Sequence, residues 1–167
     1  MKPECPLCHA NIARRISKSE PVERLLNFFS VYSFRCQLCA LRYRKFAIGT
    51  DDIALPSDKR QFERLPTNVR ATIVGPQGRS ADLITDLSMG GCTLQTTTAL
   101  TKGAFLHLSL QPSEREAAIV VETAMVRSVR SERVGLEFLE FEGGQKERLA
   151  RLVRGLLLTR QIAPAMG

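Results

Sequence analysis

Thr67-Asn68-Val69-Arg70-Ala71-Thr72-Ile73-Val74 runs into Gly75-Pro76-Gln77-Gly78, and the architecture of the chain can be worked out from here. Val69, Ala71 and Ile73 recur at every second residue, a period that lines one face of a strand. Gly-Pro-Gln-Gly then punctuates a turn. The same alternation returns downstream: Arg79 to Leu87, Cys92 to Thr97, the run marked by Phe105, Leu106, Leu108 and Leu110, then Ala118 to Val129 and Val134 to Phe141. Six short strands joined by turns predict a mainly β fold, a six-stranded antiparallel barrel, because closure removes exposed strand edges.

After Gly143-Gly144 the period changes. Leu149, Leu152, Val153, Leu156 and Leu157 fall at helical spacing, so the barrel is expected to end in a C-terminal helix. Its apolar stripe reads as a lid over the barrel; dimerisation through the same stripe is the alternative. Upstream of the strands, residues 49–66 carry turn and proline punctuation and read as a linker. Three regions follow: 1–48, the linker 49–66, and the barrel with its helix over 67–167.

Residues 1–48 contain Cys5-x-x-Cys8 and Cys36-x-x-Cys39, with 27 residues between the pairs. Two CxxC pairs can enclose one Zn²⁺ tetrahedrally, each gripping from its own turn, and a small segment gains from the metal the folding free energy its core lacks. A zinc-ribbon-like module is expected. Four thiolates leave no open position on the metal, so its role is structural, and His9, directly after Cys8, adds nothing to a saturated site. A redox CxxC would need a thioredoxin-like βαβ setting, which this segment lacks. Between the pairs, Val22, Leu25, Leu26, Phe28, Phe29, Val31 and Phe34 form an apolar cluster that packs on the knuckle, packs on the barrel or meets a partner.

The chain has 167 residues and a formal net charge of +7. Residues 1–48 hold nine Lys/Arg against three Glu, a net of +6, so the basic excess belongs to the cysteine module. It reads first as a solvated surface, since no interleaving of aromatic and basic residues of the strand-stacking kind stands out; a nucleic-acid partner is the second reading. There is no run of eighteen or more apolar residues, so no membrane span is expected. The cysteine usage and the start of the chain fit a reducing, cytoplasmic setting. Only His9 and His107 are present, and no nucleophile–base pair or carboxylate–histidine metal cluster accompanies them, which argues against an enzyme.

Two short motifs point to a ligand. Arg60-Gln61-Phe62-Glu63-Arg64 holds two guanidinium groups four residues apart, each able to clasp a phosphate or lie flat on a purine. Asp86-Leu87-Ser88-Met89-Gly90-Gly91 holds a carboxylate, a hydroxyl and paired glycines at a strand-to-strand turn. Asp86 can accept from the guanine N1–H and exocyclic amine, a donor pair adenine lacks. Ser88 offers a short donor and acceptor, and Gly90 and Gly91 permit positive φ and close backbone approach. The bland reading of the second motif is an ordinary hairpin cap, with Asp86 and Ser88 bonded to local backbone.

With Arg60 and Arg64 as RxxxR, Asp86, Ser88 and Gly91 as DxSxxG, and Arg133-Val134-Gly135-Leu136-Glu137-Phe138 as a late hydrophobic strand, residues 58–142 resemble a PilZ domain, the bacterial receptor module for cyclic di-GMP. The resemblance implies a six-stranded barrel with a C-terminal helix. It also implies that Arg60 and Arg64 hold phosphates and stack on guanine, that Asp86 and Ser88 read the guanine edge, and that Gly91 keeps the turn open. Lys59, the basic residue before Arg60, goes in this family with an intercalated ligand dimer. The expected function is a cyclic di-GMP receptor that rearranges its linker and zinc module to regulate a protein partner; a zinc-ribbon regulator that binds nucleic acid is the alternative.

Overall fold

The computed structural model describes residues 4–16, 28–46 and 62–162. The chain divides into two compact units, Met1–Arg60 and Gln61–Gly167. In the first, β1 (Ala13–Arg15), β2 (Val31–Cys36) and β3 (Arg42–Phe46) form an antiparallel sheet in the order β1-β2-β3. Among the described residues its core is small: Phe34 is 1% exposed and stacks on Tyr43, and Ala10, Ile12 and Ala13 are also buried. Of the apolar cluster expected between the cysteine pairs, Phe34 is buried, whereas Phe28 and Phe29 are exposed and meet edge to face. Val22, Leu25 and Leu26 lie outside the described residues.

The second unit is a closed antiparallel barrel of β4 (Leu65–Gly75), β5 (Gly78–Ser88), β6 (Gly91–Gln95), β7 (Phe105–Gln111), β8 (Ile119–Arg130) and β9 (Arg133–Glu140). The strands run β4-β5-β6-β9-β8-β7 around the wall, and β4 pairs with β7 to close it. The six expected strands are all present. Alternation fills the interior as read: Val69, Ala71 and Ile73 of β4, Leu106, Leu108 and Leu110 of β7, and Val121, Ala124 and Val126 of β8 are buried. The first barrel strand begins at Leu65, which is itself 1% exposed.

Helix α1 (Gln145–Ile162) follows Gly144, whose φ of 75° suits a residue without Cβ at the entry to the helix. Arg148 anchors its first turns to the start of β8 by donating to the carbonyls of Ala117 and Ala118, and the Gln145 side chain accepts from the Val120 N–H. Leu149, Val153 and Leu157, spaced by four, are buried. Leu152 and Leu156 complete the expected stripe only in part. They are half-buried and line, with Ile119, Gly155, Arg148 and Arg151, an open groove of about 630 Å³. Among the described residues no helix is long and apolar enough to cross a membrane.

Candidate functional site

Asp86 sits where the barrel wall departs from regular pairing on both sides. Between Pro66 and Val69, β4 carries one residue more than β5; between Ile84 and Asp86, β5 carries one more than β6. Such bulges re-aim side chains. Leu87 and Cys92 turn into the core, and Asp86 and Thr93, opposite one another in the register, take the other face. Pro66 pairs with Asp86, which brings Arg64 alongside.

The three side chains form a triangle. Arg64 Nη1 donates to Asp86 Oδ1 at 3.1 Å and to Thr93 Oγ1 at 2.6 Å, and Thr93 Oγ1 donates to the same Asp86 Oδ1 at 3.0 Å. The pair is about one-third exposed, at 31% for Arg64 and 27% for Asp86. Both contacts on the carboxylate fall on one oxygen, and both from the guanidinium on one nitrogen; each group has further capacity on its other atoms. A planar cation beside an oriented carboxylate can stack on a purine and accept from a guanine edge at once. Arg64 and Asp86 thus come together. Arg60 and Lys59 lie outside the described residues.

Ser88 and Gly91 lie inside the turn. Ser88 is 4% exposed, its hydroxyl donating to the Gly91 carbonyl at 3.1 Å and accepting from the Gly90 N–H at 3.3 Å. Neither glycine adopts a positive φ; their value is close approach. A Cβ on Gly91 would stand 2.1 Å from the Leu136 carbonyl oxygen of β9, and one on Gly90 would stand 3.0 Å from the Phe62 ring. Since a backbone carbonyl in a closed barrel cannot move aside, Gly91→Ala is expected to destabilise the barrel by about 3 kcal/mol or more. The midpoint of a denaturant titration checks this. Gly90→Ala meets only a side-chain ring and is expected to cost less.

Thr93 was not singled out from sequence, because its role comes from cross-strand register. The one available signal was its place two positions beyond Gly91 in a strand whose Cys92 and Leu94 turn inward. Cys92 is a core residue; burial, then the Asp86 charge, raises its thiol pKa against the opposing effect of Arg64. His107 is half-exposed beside Glu122, with Nδ1 at 3.6 Å from the carboxylate.

In the first unit the four cysteines converge. Their sulfurs all lie within 4.8 Å of one another, with Cys5–Cys39 and Cys8–Cys36 at 3.5 Å. Zinc bound tetrahedrally by thiolates at about 2.3 Å holds the sulfurs about 3.8 Å apart, so the cluster matches the ion. The two knuckles repeat one backbone pattern. Cys5 N–H donates to the Ala10 carbonyl at 3.1 Å, and Cys36 N–H to that of Leu41 at 2.9 Å. The residue after each second cysteine, His9 or Ala40, takes a left-handed φ of 55° or 62°. His9 Nδ1 contacts Glu4 at 3.0 Å, away from the sulfurs.

As thiols, Cys5 and Cys39 do not titrate alike. Burial, reinforced by contacts with the other three thiols, pushes Cys39 up to about 12 against the backbone N–H of Leu41. Burial also raises Cys5, but the backbone N–H groups of Cys8 and Leu7 and the neighbouring thiols outweigh it and leave it at about 7.

Comparison with known proteins agrees with the barrel. Among solved structures the fold is similar to the PilZ domain of YcgR from Escherichia coli with c-di-GMP, with a TM-score of 0.52 at 16% identity, over 62% of this chain and 95% of that one. It is also similar to the K. pneumonia MrkH–c-di-GMP complex, with a TM-score of 0.55 at 16% identity, over 90% of this chain and 78% of that one. The Bacillus subtilis inhibitor of motility MotI/DgrA gives a TM-score of 0.51 at 20% identity, over 80% and 67%. No curated protein matches the chain by sequence. The PilZ domain family matches residues 58–155, a span holding the whole barrel and the first 11 of the 18 residues of its helix, and the chain belongs to that family.

Proposed function

We propose that this protein is a cyclic di-GMP receptor whose ligand is held at the barrel corner by Arg60, Arg64 and Asp86, with Lys59 as a further phosphate contact. The observation that carries the reading is the Arg64–Asp86–Thr93 triangle within the family-matched span. In it the hydrogen bonds from Arg64 and Thr93 orient the Asp86 carboxylate for the two donors of a guanine edge. YcgR and MrkH, similar in fold, have been solved with c-di-GMP. Ser88 and Gly91 act by shaping the turn that carries Asp86.

The N-terminal unit binds one structural Zn²⁺ through Cys5, Cys8, Cys36 and Cys39. Ligand capture by the two arginines changes the arrangement of residues 49–66 and the zinc module, and a partner reads that change.

Calorimetry with cyclic di-GMP and its adenine counterpart tests the assignment on folded, ligand-stripped protein. Binding of the guanine compound alone is expected, at two molecules per site if Lys59 supports an intercalated pair. A flat titration with both compounds rejects it.

A further inference from the structure

Glu63 is an acidic residue inside a motif of opposite charge. It directly precedes Arg64 and follows Arg60 by three residues, the two guanidinium groups assigned to the phosphates of an anionic ligand. A carboxylate there repels those phosphates or competes for the same two arginines. Its neighbours are tied to the barrel. The Phe62 ring packs against Gly90 at the β5–β6 turn, and Arg64 is bonded to Asp86 and Thr93. The backbone that carries Glu63 is therefore pinned beside the site.

The far end of the chain supplies the counter-charge. Arg160, in the last turn of α1 and 97 residues away in sequence, donates through Nη1 to Glu63 Oε1. The bland reading is a surface ion pair at a helix C-terminus, where a cation is favoured in any case. At 59% exposure for Arg160 and 37% for Glu63, such a pair adds little to stability. The helix dipole explains a cation at this end of α1. It does not explain why that cation reaches the one carboxylate between the two arginines of the motif.

We infer that Arg160 is a charge shield for the nucleotide site: by neutralising Glu63, it lets the ligand's phosphates meet a positive motif. Arg160 acts through Glu63 and touches no ligand itself. This role rests on the cyclic di-GMP reading and adds to it a residue of α1 that neither RxxxR nor DxSxxG contains.

Calorimetry with cyclic di-GMP at low salt, on the full zinc-loaded chain, tests it. Arg160→Ala is expected to weaken binding about fivefold, the scale of one unit charge acting on a phosphate through solvent. The deficit is expected to shrink as salt rises. Arg160→Lys keeps the charge and is expected to bind like the parent. The decisive variant combines Arg160→Ala with Glu63→Gln. With no carboxylate left to shield, its affinity is expected to return to within about twofold of the parent, which a merely structural ion pair would not produce. Arg154→Ala removes an exposed cation elsewhere on α1 and is expected to change nothing. The shield is overturned by Arg160→Ala protein that binds like the parent, by a double variant as weak as Arg160→Ala alone, or by an equal loss in Arg154→Ala. In each of these cases the parent still binds and the receptor reading stands; a parent that leaves the nucleotide unbound removes both.

Discussion

Stripping the metal from Cys5, Cys8, Cys36 and Cys39 is expected to unfold the N-terminal sheet and leave the barrel standing. Among the described residues of that unit Phe34 is the one large side chain that is almost fully buried, and burying a phenyl group is worth about 3 kcal/mol. Structural zinc in comparably small modules contributes about 10–16 kcal/mol near neutral pH, so the ion outweighs that burial several-fold. The barrel has its own closed hydrogen-bond network and a full apolar interior.

The chain offers a selective probe for this. It has no tryptophan and two tyrosines, Tyr32 and Tyr43, and both lie in the N-terminal sheet. Tyr43 stacks on Phe34, and Arg15 lies 3.7 Å over the Tyr32 ring. Near-ultraviolet tyrosine dichroism therefore reports on this unit alone. Metal analysis is expected to find one zinc per chain, and chelation or Cys36→Ser to abolish the tyrosine signal while the thermal transition of the barrel persists. A tyrosine signal that survives complete metal removal would falsify the structural role of zinc.

Arg64→Ala or Asp86→Ala is expected to lower cyclic di-GMP affinity at least a hundredfold, a loss of about 2.7 kcal/mol, while barely affecting the fold. The separation follows from exposure. An ion pair about one-third open to solvent contributes roughly 0–1 kcal/mol to stability. A ligand whose guanine donors lose their acceptor, or whose base loses its stacking cation, forfeits contacts made in a desolvated site. Asp86→Asn keeps the shape but replaces one acceptor with a donor, so it is expected to weaken guanine binding and narrow the discrimination against adenine. Calorimetry paired with thermal melting reads both effects. Variants that bind like the parent yet melt several degrees lower would assign the pair to stability alone.

The alternation of Val69, Ala71 and Ile73, its repeats downstream and the change of period after Gly144 were enough to read the six strands and the helix, because solvent sorts side chains by local period. Two CxxC pairs likewise announced their cluster through ligand chemistry and spacing. RxxxR and DxSxxG were legible as motifs, yet the same letters did not tell Asp86, beside Arg64, from Ser88, closed within its turn. Gly91 could be read as a glycine but not as the point where β6 passes the Leu136 carbonyl. Thr93 became a partner of Asp86 only through two bulges, and Leu152 and Leu156 left the buried stripe only because α1 presents Leu149, Val153 and Leu157 to the barrel.

The N-terminal sheet makes the division plain, since its register sets Arg35 opposite both Arg14 and Arg42. Composition placed the basic excess in residues 1–48, but Arg14, Arg35 and Arg42 are far apart in the chain and share no period. Period and ligand type are carried by neighbouring residues and so can be read along a line. Which residues stand opposite one another depends on how strands pair across long separations, and that was decided by tertiary structure alone.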